Sequence, residues 1–479
     1  MIKNLTGIIN KNTMLISGIF IAILSSYNSP FLFLLNYDKL NFFKIFVLYQ
    51  HIVPLIVFSF LLLYVYKLNF FCNFFSKEHL ILKFLIFLNI ILIFGILLNK
   101  LVYFYSINEV TSQISNKTLI DWKSTYTRFV FVLNNLNIIF LSFVALQKKS
   151  LEFLLTVMIG VLFLVALYYL FTVFKDYWSE DRVMFFYESK ILRLGSSTLN
   201  FVNPRSSGLS RTLLIVSNFI FIYFLFYKSK NISNNNFLNF SIISIIIFIN
   251  FNIFHLQSRV SIYFILLQFL CVVFFFLYSK RYKIKNLLII LILFLILPFL
   301  LSKIVTNYKI FVMQSKIIST NQTTQKIPGL VDLKQHGIVT KGRYFEKTTS
   351  GRTRIWKTVL NTIDEMPFFG YGVLGDRFKY AFSVSNIFLY FFISGGILGL
   401  LGIILFNIYI VKLLFISMFL KKIINISEPF VLISFSYITF FMFRSLVENS
   451  YGQFSIDLMI FVPSLLIFEN HLRKYKIIS

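Results

Sequence analysis

The residues best suited to chemistry are arginines that stand at the ends of long apolar runs. Arg205 and Arg211 precede or open one run, Arg259 opens another, and Arg444 closes a third. A planar guanidinium holds phosphate or carboxylate oxygens through two parallel hydrogen bonds, whereas a lysine ammonium acts as a point charge. A charge next to lipid also needs a partner or a wet cavity. The pattern therefore predicts a polar cavity that binds an anion, with snorkelling of single arginines toward headgroups as the alternative.

Glu448 lies four positions after Arg444, which places the two side chains on one helix face. This spacing permits a mutual ion pair, and it equally permits two separate contacts to a ligand. A carboxylate beside a reacting hydroxyl is able to act as a general base, and burial would favour that role. Glu448 is therefore the predicted base, although spacing does not separate it from three other carboxylates, Asp364, Glu365 and Asp376.

A water-facing stretch between residues 350 and 400 contains two further arginines. Arg352 and Arg354 begin a segment with apolar residues at helical spacing, so we predict a helix over residues 352–365 that Pro367 ends. Arginines in a first helical turn oppose the helix dipole, and an anion bound between them and the helix N-terminus would relieve that conflict. The alternative is an ordinary surface helix with solvated arginines. The segment FFGYGVLG that follows predicts a turn and lacks the spacing of a phosphate-binding loop.

These residues belong to a chain with the composition of a membrane protein. Of its 479 residues, 58% are hydrophobic and 13% are charged, and its mean hydropathy is +0.80. Because an apolar run of roughly 20 residues crosses a bilayer, we predict an all-α polytopic transmembrane helical bundle of about twelve spans. The predicted spans cover residues 14–36, 43–66, 80–105, 127–146, 151–174, 209–227, 237–254, 259–278, 284–302, 385–411, 429–447 and 452–470.

The basic residues predict the orientation of the bundle. Lysines gather in alternate short loops and both tails are basic, so we predict that both termini are cytoplasmic. The chain then divides into an N-terminal transmembrane bundle (1–302), a large extracytoplasmic loop (303–384) and C-terminal transmembrane helices (385–479). On this topology all arginines except Arg281 and Arg473 lie outside. Because basic loops are what membrane orientation requires, the net charge of +28 does not imply nucleic acid as a partner.

Several kinds of chemistry receive no support from the sequence. The five histidines are scattered, the two cysteines have no metal-ligand spacing, and neither a serine-hydrolase nor a zinc-protease motif occurs. We therefore expect a metal-independent protein without a cofactor.

Several segments together resemble a known family of membrane proteins. SGRTRIW, followed by PFFGYG and then by SNIFLYFFISGGILGLLG, resembles the extracytoplasmic loop and next helix of the O-antigen ligase and polymerase superfamily. NPRSSGLSRTLL and QSRVSIYF are similar to that family's arginine-containing helix starts. Ligases have a histidine before the asparagine at the start of the helix, whereas this chain has Ser385 before Asn386. Because a serine cannot act as a general base near neutral pH, this departure favours a polymerase over a ligase.

The resemblance implies an enzyme that acts at the outer face of the bacterial cytoplasmic membrane. Such an enzyme transfers a glycan from undecaprenyl pyrophosphate to a sugar hydroxyl, in the biosynthesis of lipopolysaccharide or another surface polysaccharide. Arg352 and Glu448 are then the expected catalytic residues. Binding of the pyrophosphate or glycan is expected from Arg205, Arg211, Arg259, Arg352, Arg354, Arg444 and Asn386. The expected partners are the lipid-linked glycan, the lipid membrane and a chain-length regulator protein.

Two other functions fit parts of the sequence. An O-antigen ligase belongs to the same superfamily. A flippase or other transporter of lipid-linked oligosaccharides would also contain about twelve spans, but such transporters usually have related halves and charges at the membrane midplane. No internal repeat is found in the sequence, and its charges gather at predicted helix ends. A polymerase accounts for most of these features.

Overall fold

The computed structural model describes thirteen stretches of the chain and is helical in nearly all of them. They are residues 16–19 with 21, 53–67, 80–106, 122–179, 206–229, 236–256, 261–267 with 269, 289–321, 352–380, 384–419, 428–448, 450–452 and 455–474. No β-strand occurs in these stretches. The predicted all-α fold class is confirmed.

The longer helices are named here in chain order. They are α1 (Val53–Lys67), α2 (Leu80–Ser106), α3 (Trp122–Gln147), α4 (Leu151–Ser179), α5 (Ser206–Ser229), α6 (Asn236–His255), α7 (Leu297–Asn321), α8 (Arg352–Asn361), α9 (Gly375–Tyr380), α10 (Ile387–Phe419), α11 (Pro429–Ser445) and α12 (Ile456–Lys474). A π-helical turn (Ile292–Ile296) leads into α7, and 3₁₀ turns occupy Ile363–Glu365 and Ser450–Gly452. Because α7 continues to Asn321, the first residues after position 302 are helical.

Six helical segments of the described chain are long and apolar enough to cross a membrane. They are Leu80–Leu98, Arg128–Gln147, Leu151–Tyr168, Gly208–Phe226, Ile289–Tyr308 and Ile387–Ser417, and three shorter apolar helices are Val53–Tyr66, Asn239–His255 and Pro429–Ser445. Each of them overlaps a span predicted from hydropathy. The total of about twelve spans and the division at residues 302 and 384 stay predictions.

The chain divides into two compact units. The first contains α1 to α3, the beginning of α4 and α8 to α12, and the second contains the rest of α4 and α5 to α7. In the first unit α11 packs against α12, α10 packs against α2, and α3 packs against α1, α2 and α12. In the second unit α6 packs against both α5 and α7. The first unit therefore contains both the C-terminal helices and the short helix α8. Most of the predicted site residues lie in this unit.

A break in α10 receives the glycine-rich turn that follows α8. Gly396 has φ +62° inside α10, and a Cβ there would collide with the carbonyl oxygen of Phe368. The amides of Tyr371 and Gly372 donate to the carbonyls of Ile393 and Ser394, each at 2.7 Å. The break exposes helix carbonyls, and the neighbouring turn satisfies them. The turn is therefore fixed on α10, and it fixes α8 in its place as well.

A buried polar contact joins α5, α6 and the π-helical turn that leads into α7. Ser217 donates to the side-chain oxygen of Asn250 at 2.6 Å, and the Asn250 amide donates to the carbonyl of Phe294 at 2.7 Å. Phe294 lies in the π-helical turn, where the regular pattern of helix hydrogen bonds is interrupted. Asn250 thus satisfies a backbone acceptor inside an apolar bundle.

Candidate functional site

Four charged side chains of the first unit form one continuous ionic chain. Nη2 of Arg352 lies 3.0 Å from Oε1 of Glu448, and Nη2 of Arg444 contacts Oε2 of the same carboxylate. Nη1 of Arg444 contacts Oδ2 of Asp457. The order is Arg352, Glu448, Arg444, Asp457, so positive and negative groups alternate. Glu448 therefore bridges two arginines that come from different parts of the sequence.

The hairpin between α11 and α12 holds the inner half of this chain. Arg444 is in the last turn of α11 and Asp457 is in the first turn of α12, where each charge suits its helix dipole. Ser450 donates to Oδ2 of Asp457 at 2.8 Å, and Ser455 donates to the carbonyl of Ser450 at 3.1 Å. Asp457 is fully buried and the Arg444 side chain is 7% exposed. The inner pair is thus a fixed, desolvated part of the hairpin.

Tyr451 anchors the same hairpin in the protein core. Its ring stacks on Phe461 with centroids 4.1 Å apart, and its hydroxyl donates to Oδ1 of Asn407 at 2.5 Å. Burial raises the pKa of the Tyr451 phenol above its ordinary value. The hydrogen bond from this phenol fixes the hairpin to α10.

Asn386 connects this hairpin to the start of α10. Its Oδ1 accepts hydrogen bonds from the amides of Phe388 at 2.9 Å and Leu389 at 3.1 Å, as the N-cap of a helix does. Its Nδ2 donates to the carbonyl of Leu446 at 2.9 Å. One amide side chain thus places the first turn of α10 beside the segment that carries Glu448. The role as a glycan-binding residue stays a prediction.

The short helix α8 supplies Arg352 from its first position. Val359 of α8 is fully buried against Tyr371, Val384 and Ile393, which fixes the helix to the turn and to α10. Arg354 lies two residues after Arg352, and a step of two residues turns the chain by roughly 200° on a helix. Arg354 is accordingly exposed, and within the described residues it makes no ion pair. The two arginines of α8 therefore do not converge on Glu448.

The other predicted residues have separate places in the molecule. Arg211 lies in α5 of the second unit, and Arg205 and Arg259 lie outside the described residues. Of the alternative bases, Asp376 is buried and accepts a hydrogen bond from the amide of Val384 at 2.9 Å, whereas Asp364 is exposed. The Asp376 side chain thus stabilises the segment before α10 through this hydrogen bond. Roles in binding for Arg205, Arg211, Arg259 and Arg354 stay predictions.

Asp457 is the site residue that sequence reasoning missed. Asp457 lies within an apolar run that hydropathy assigns to a membrane span, so its carboxylate was not selected as a site residue. A signal was nevertheless present, since a carboxylate in the first turn after a short hairpin stands beside the last turn of the preceding helix, where Arg444 lies. Among the described residues, no three His, Cys, Asp or Glu side chains cluster so that they could hold a metal ion.

The fold and the site together define a class of protein. The chain is an all-helical integral membrane protein in which ionic side chains from several helix ends meet at one place. The model of a protein family described as O-antigen ligase matches residues 243–404. Over these residues the chain is similar to that family, in agreement with the resemblance of the sequence motifs. The matched segment includes Arg352, Arg354 and Asn386, while Arg444, Glu448 and Asp457 follow it.

Two further comparisons gave no match. Neither the curated proteins nor the solved structures include a significant match to this chain. Members of the matched family are membrane glycosyltransferase-like enzymes.

Proposed function

We propose that this protein is a membrane glycosyltransferase that polymerises oligosaccharide repeat units carried on undecaprenyl pyrophosphate. The observation that carries the proposal is the bridge from Arg352 through Glu448 to Arg444, in a chain that matches the O-antigen ligase family. Two guanidinium groups are able to stabilise the negative charge of a leaving pyrophosphate, and a carboxylate is able to accept the proton of an acceptor hydroxyl. The predicted topology places this reaction at the outer face of the cytoplasmic membrane, with both termini inside.

The proposed reaction assigns a role to each of these groups. The oxygen of an acceptor sugar hydroxyl forms a bond to the anomeric carbon of the donor glycan, and the bond from that carbon to the pyrophosphate oxygen breaks. Negative charge then grows on the lipid pyrophosphate, and Arg352 and Arg444 stabilise it. Glu448 takes the proton of the acceptor hydroxyl. Arg205, Arg211, Arg259, Arg354 and Asn386 are proposed to bind the remaining phosphate or glycan groups.

A polymerase is preferred to a ligase because of the start of α10. Ser385 stands where ligases of this superfamily have the histidine that activates the acceptor. The second candidate is nevertheless an O-antigen ligase, because the matching family model carries that description. The two activities share the donor and differ in the acceptor, which is another repeat unit for a polymerase and a finished lipid core for a ligase.

Electrophoresis of surface glycans from cells that lack this protein tests the proposal. A polymerase predicts that the ladder of chain lengths collapses to a single repeat unit. Full-length polymer that stays on the lipid carrier would instead establish a ligase, and single units trapped on the cytoplasmic side would establish a flippase. An unchanged ladder would exclude all three activities.

Complementation of those cells tests the site itself. Arg352→Ala is expected to leave the ladder collapsed, because one of the two guanidinium groups at the leaving pyrophosphate is lost. Lys357→Ala is the matched control, since Lys357 is an exposed basic residue of the same helix outside the ionic chain. A normal ladder with Arg352→Ala, at an equal amount of membrane-inserted protein, would remove the site from the proposal.

A further inference from the structure

The outer and inner contacts of the ionic chain differ in exposure. The side chains of Arg352 and Glu448 are 26% and 25% exposed, whereas those of Arg444 and Asp457 are 7% and 0% exposed. A partly exposed ion pair is screened by water and salt and exchanges more easily than a buried pair, which leaves an uncompensated charge when one partner is lost. The contact between Arg352 and Glu448 can therefore open while the contact between Arg444 and Asp457 persists.

We propose that the Glu448 carboxylate occupies the binding position of the substrate's pyrophosphate, and that the pyrophosphate displaces it on entry. This inference rests on the proposed function and adds an internal competitor to it. Each oxygen of the carboxylate contacts a different arginine, Oε1 with Arg352 and Oε2 with Arg444. Guanidinium groups bind carboxylate and phosphate oxygens with the same planar geometry, so the two anions compete for one place.

The charges of the cluster favour an exchange rather than a simple addition. Among the described residues, Arg352 and Arg444 offset Glu448 and Asp457, so the formal charges of these four side chains sum to zero. In the described part of the chain, Glu448 is the carboxylate within 4 Å of Arg352, while Arg444 also contacts Asp457. When Glu448 leaves, Arg352 loses its counter-charge and Arg444 keeps one. An entering anion restores the lost contact, and Asp457 keeps Arg444 in position during the exchange.

The exchange also connects donor binding to the release of the base. A carboxylate that contacts two cations is held in its ionised form and is a poor proton acceptor. Displacement by the pyrophosphate removes Glu448 from at least the Arg352 side, so the carboxylate becomes able to accept a proton only after the donor is in place. Glycan transfer is thereby limited to a site in which the donor pyrophosphate is already bound.

Binding of inorganic pyrophosphate to the purified full-length protein tests this inference. Isothermal titration calorimetry at constant ionic strength would compare the unchanged protein with Glu448→Gln, Asp457→Asn and Arg352→Ala. A neutral amide competes more weakly for a guanidinium than a carboxylate does, so Glu448→Gln is expected to bind pyrophosphate about two- to fivefold more tightly, the range that a partly exposed ion pair supports. Asp457→Asn is expected to weaken binding because Arg444 loses its anchor, and Arg352→Ala is expected to abolish it.

The two carboxylate variants are matched, because each replaces an acid by its own amide within the same ionic chain. Equal or weaker binding by Glu448→Gln, with an unchanged melting temperature, overturns the exchange, and so does an unchanged protein that binds no pyrophosphate. These outcomes are independent of the glycan phenotype. Suppose that Glu448→Gln binds pyrophosphate more tightly while cells that lack the protein keep an unchanged surface ladder. This result would support the exchange and reject the proposed function. A collapsed ladder in those cells, with no pyrophosphate binding by the purified protein, would support the proposed function and reject the exchange.

Discussion

At the scale of single residues, Asn386 shows how one side chain serves both the fold and the site. Its oxygen caps α10 and its nitrogen reaches the backbone of the hairpin that carries Glu448. An aspartate at this position would keep the cap, since both residues are good N-caps, but it has no N–H to donate. The two functions of Asn386 are therefore separable by mutation.

We expect Asn386→Ala to lower the free energy of unfolding by about 1 kcal/mol or more through loss of the cap. Asn386→Asp is expected to restore much of that stability while activity stays low, because the hydrogen bond to the carbonyl of Leu446 is lost. Thermal unfolding of the purified protein and the surface glycan ladder check the two effects. Equal activity of the aspartate variant and the unchanged protein would show that the contact to Leu446 does not matter.

The sequence predicted the short-range part of this site and not the long-range part. The spacing of Arg444 and Glu448 allowed an ion pair, and the structure contains it. The partner of Glu448 on α8 is 96 positions away, and no periodicity in the sequence relates Arg352 to Glu448. Glu448 was also expected to gain basicity from burial, yet its side chain is a quarter exposed and contacts two cations. Its role as a base therefore depends on the arginines as much as on burial.

At the scale of elements, the site depends on a break in one helix and on the turn that fills it. The sequence predicted α8 and its end before Pro367, and Met366 is extended as a residue before proline prefers. Of the apolar residues at helical spacing in this segment, Val359 is buried within the protein, whereas Leu360 and Ile363 are 51% and 45% exposed. The regular helix ends at Asn361 and a 3₁₀ turn follows, so the helical spacing does not continue to Ile363. Trp356 packs against the core instead.

Gly396→Ala is expected to disturb this arrangement strongly. The backbone at Gly396 has φ +62°, and a methyl group would meet the carbonyl of Phe368, so we expect a loss of about 1–3 kcal/mol or more. Gly160→Ala is the control, because nothing lies within 4 Å of a Cβ at Gly160 in the middle of α4. An alanine there is expected to leave stability unchanged or to raise it by up to about 1 kcal/mol. Thermal unfolding of both variants in detergent measures the difference, and equal melting temperatures would contradict the account of the break.

At the scale of the whole molecule, α11 and α12 carry charged groups at both of their ends. Arg444, Glu448 and Asp457 lie at the hairpin end, while Glu428 and His471 lie at the opposite end. Hydropathy predicted spans that overlap both helices, but it does not report which charged side chains contact each other at their ends. Pairing of the ends follows from the antiparallel hairpin and its side-chain contacts.

The opposite end predicts a pH dependence of stability. Burial lowers the pKa of His471, which lies beyond the predicted span 452–470, and the Glu428 carboxylate 3.6 Å away offsets this in part. Lys474 also contacts Glu428, at 3.5 Å. The unfolded histidine takes up a proton near pH 6.5 and the folded one at lower pH, so stability is full above about pH 6.5 and falls as the pH decreases. Melting temperatures at pH 7.5 and 5.5 should therefore differ less for His471→Gln than for the unchanged protein. An equal difference would exclude His471 as the group responsible.

The two ends of this helix pair also provide a direct test of orientation. If both termini are cytoplasmic, the ionic chain faces outward and Lys474 faces inward, because the predicted span 452–470 separates them. In a variant whose natural Cys72 and Cys271 are replaced, a membrane-impermeant maleimide added to spheroplasts should label Thr353→Cys, which is exposed on α8, and should not label Lys474→Cys. Permeabilised membranes should allow both to react, which controls for buried thiols. The reverse pattern would place Arg352 and Glu448 on the cytoplasmic side, where a transfer between lipid-linked glycans at the outer face could not use them, and the proposed function would then fail.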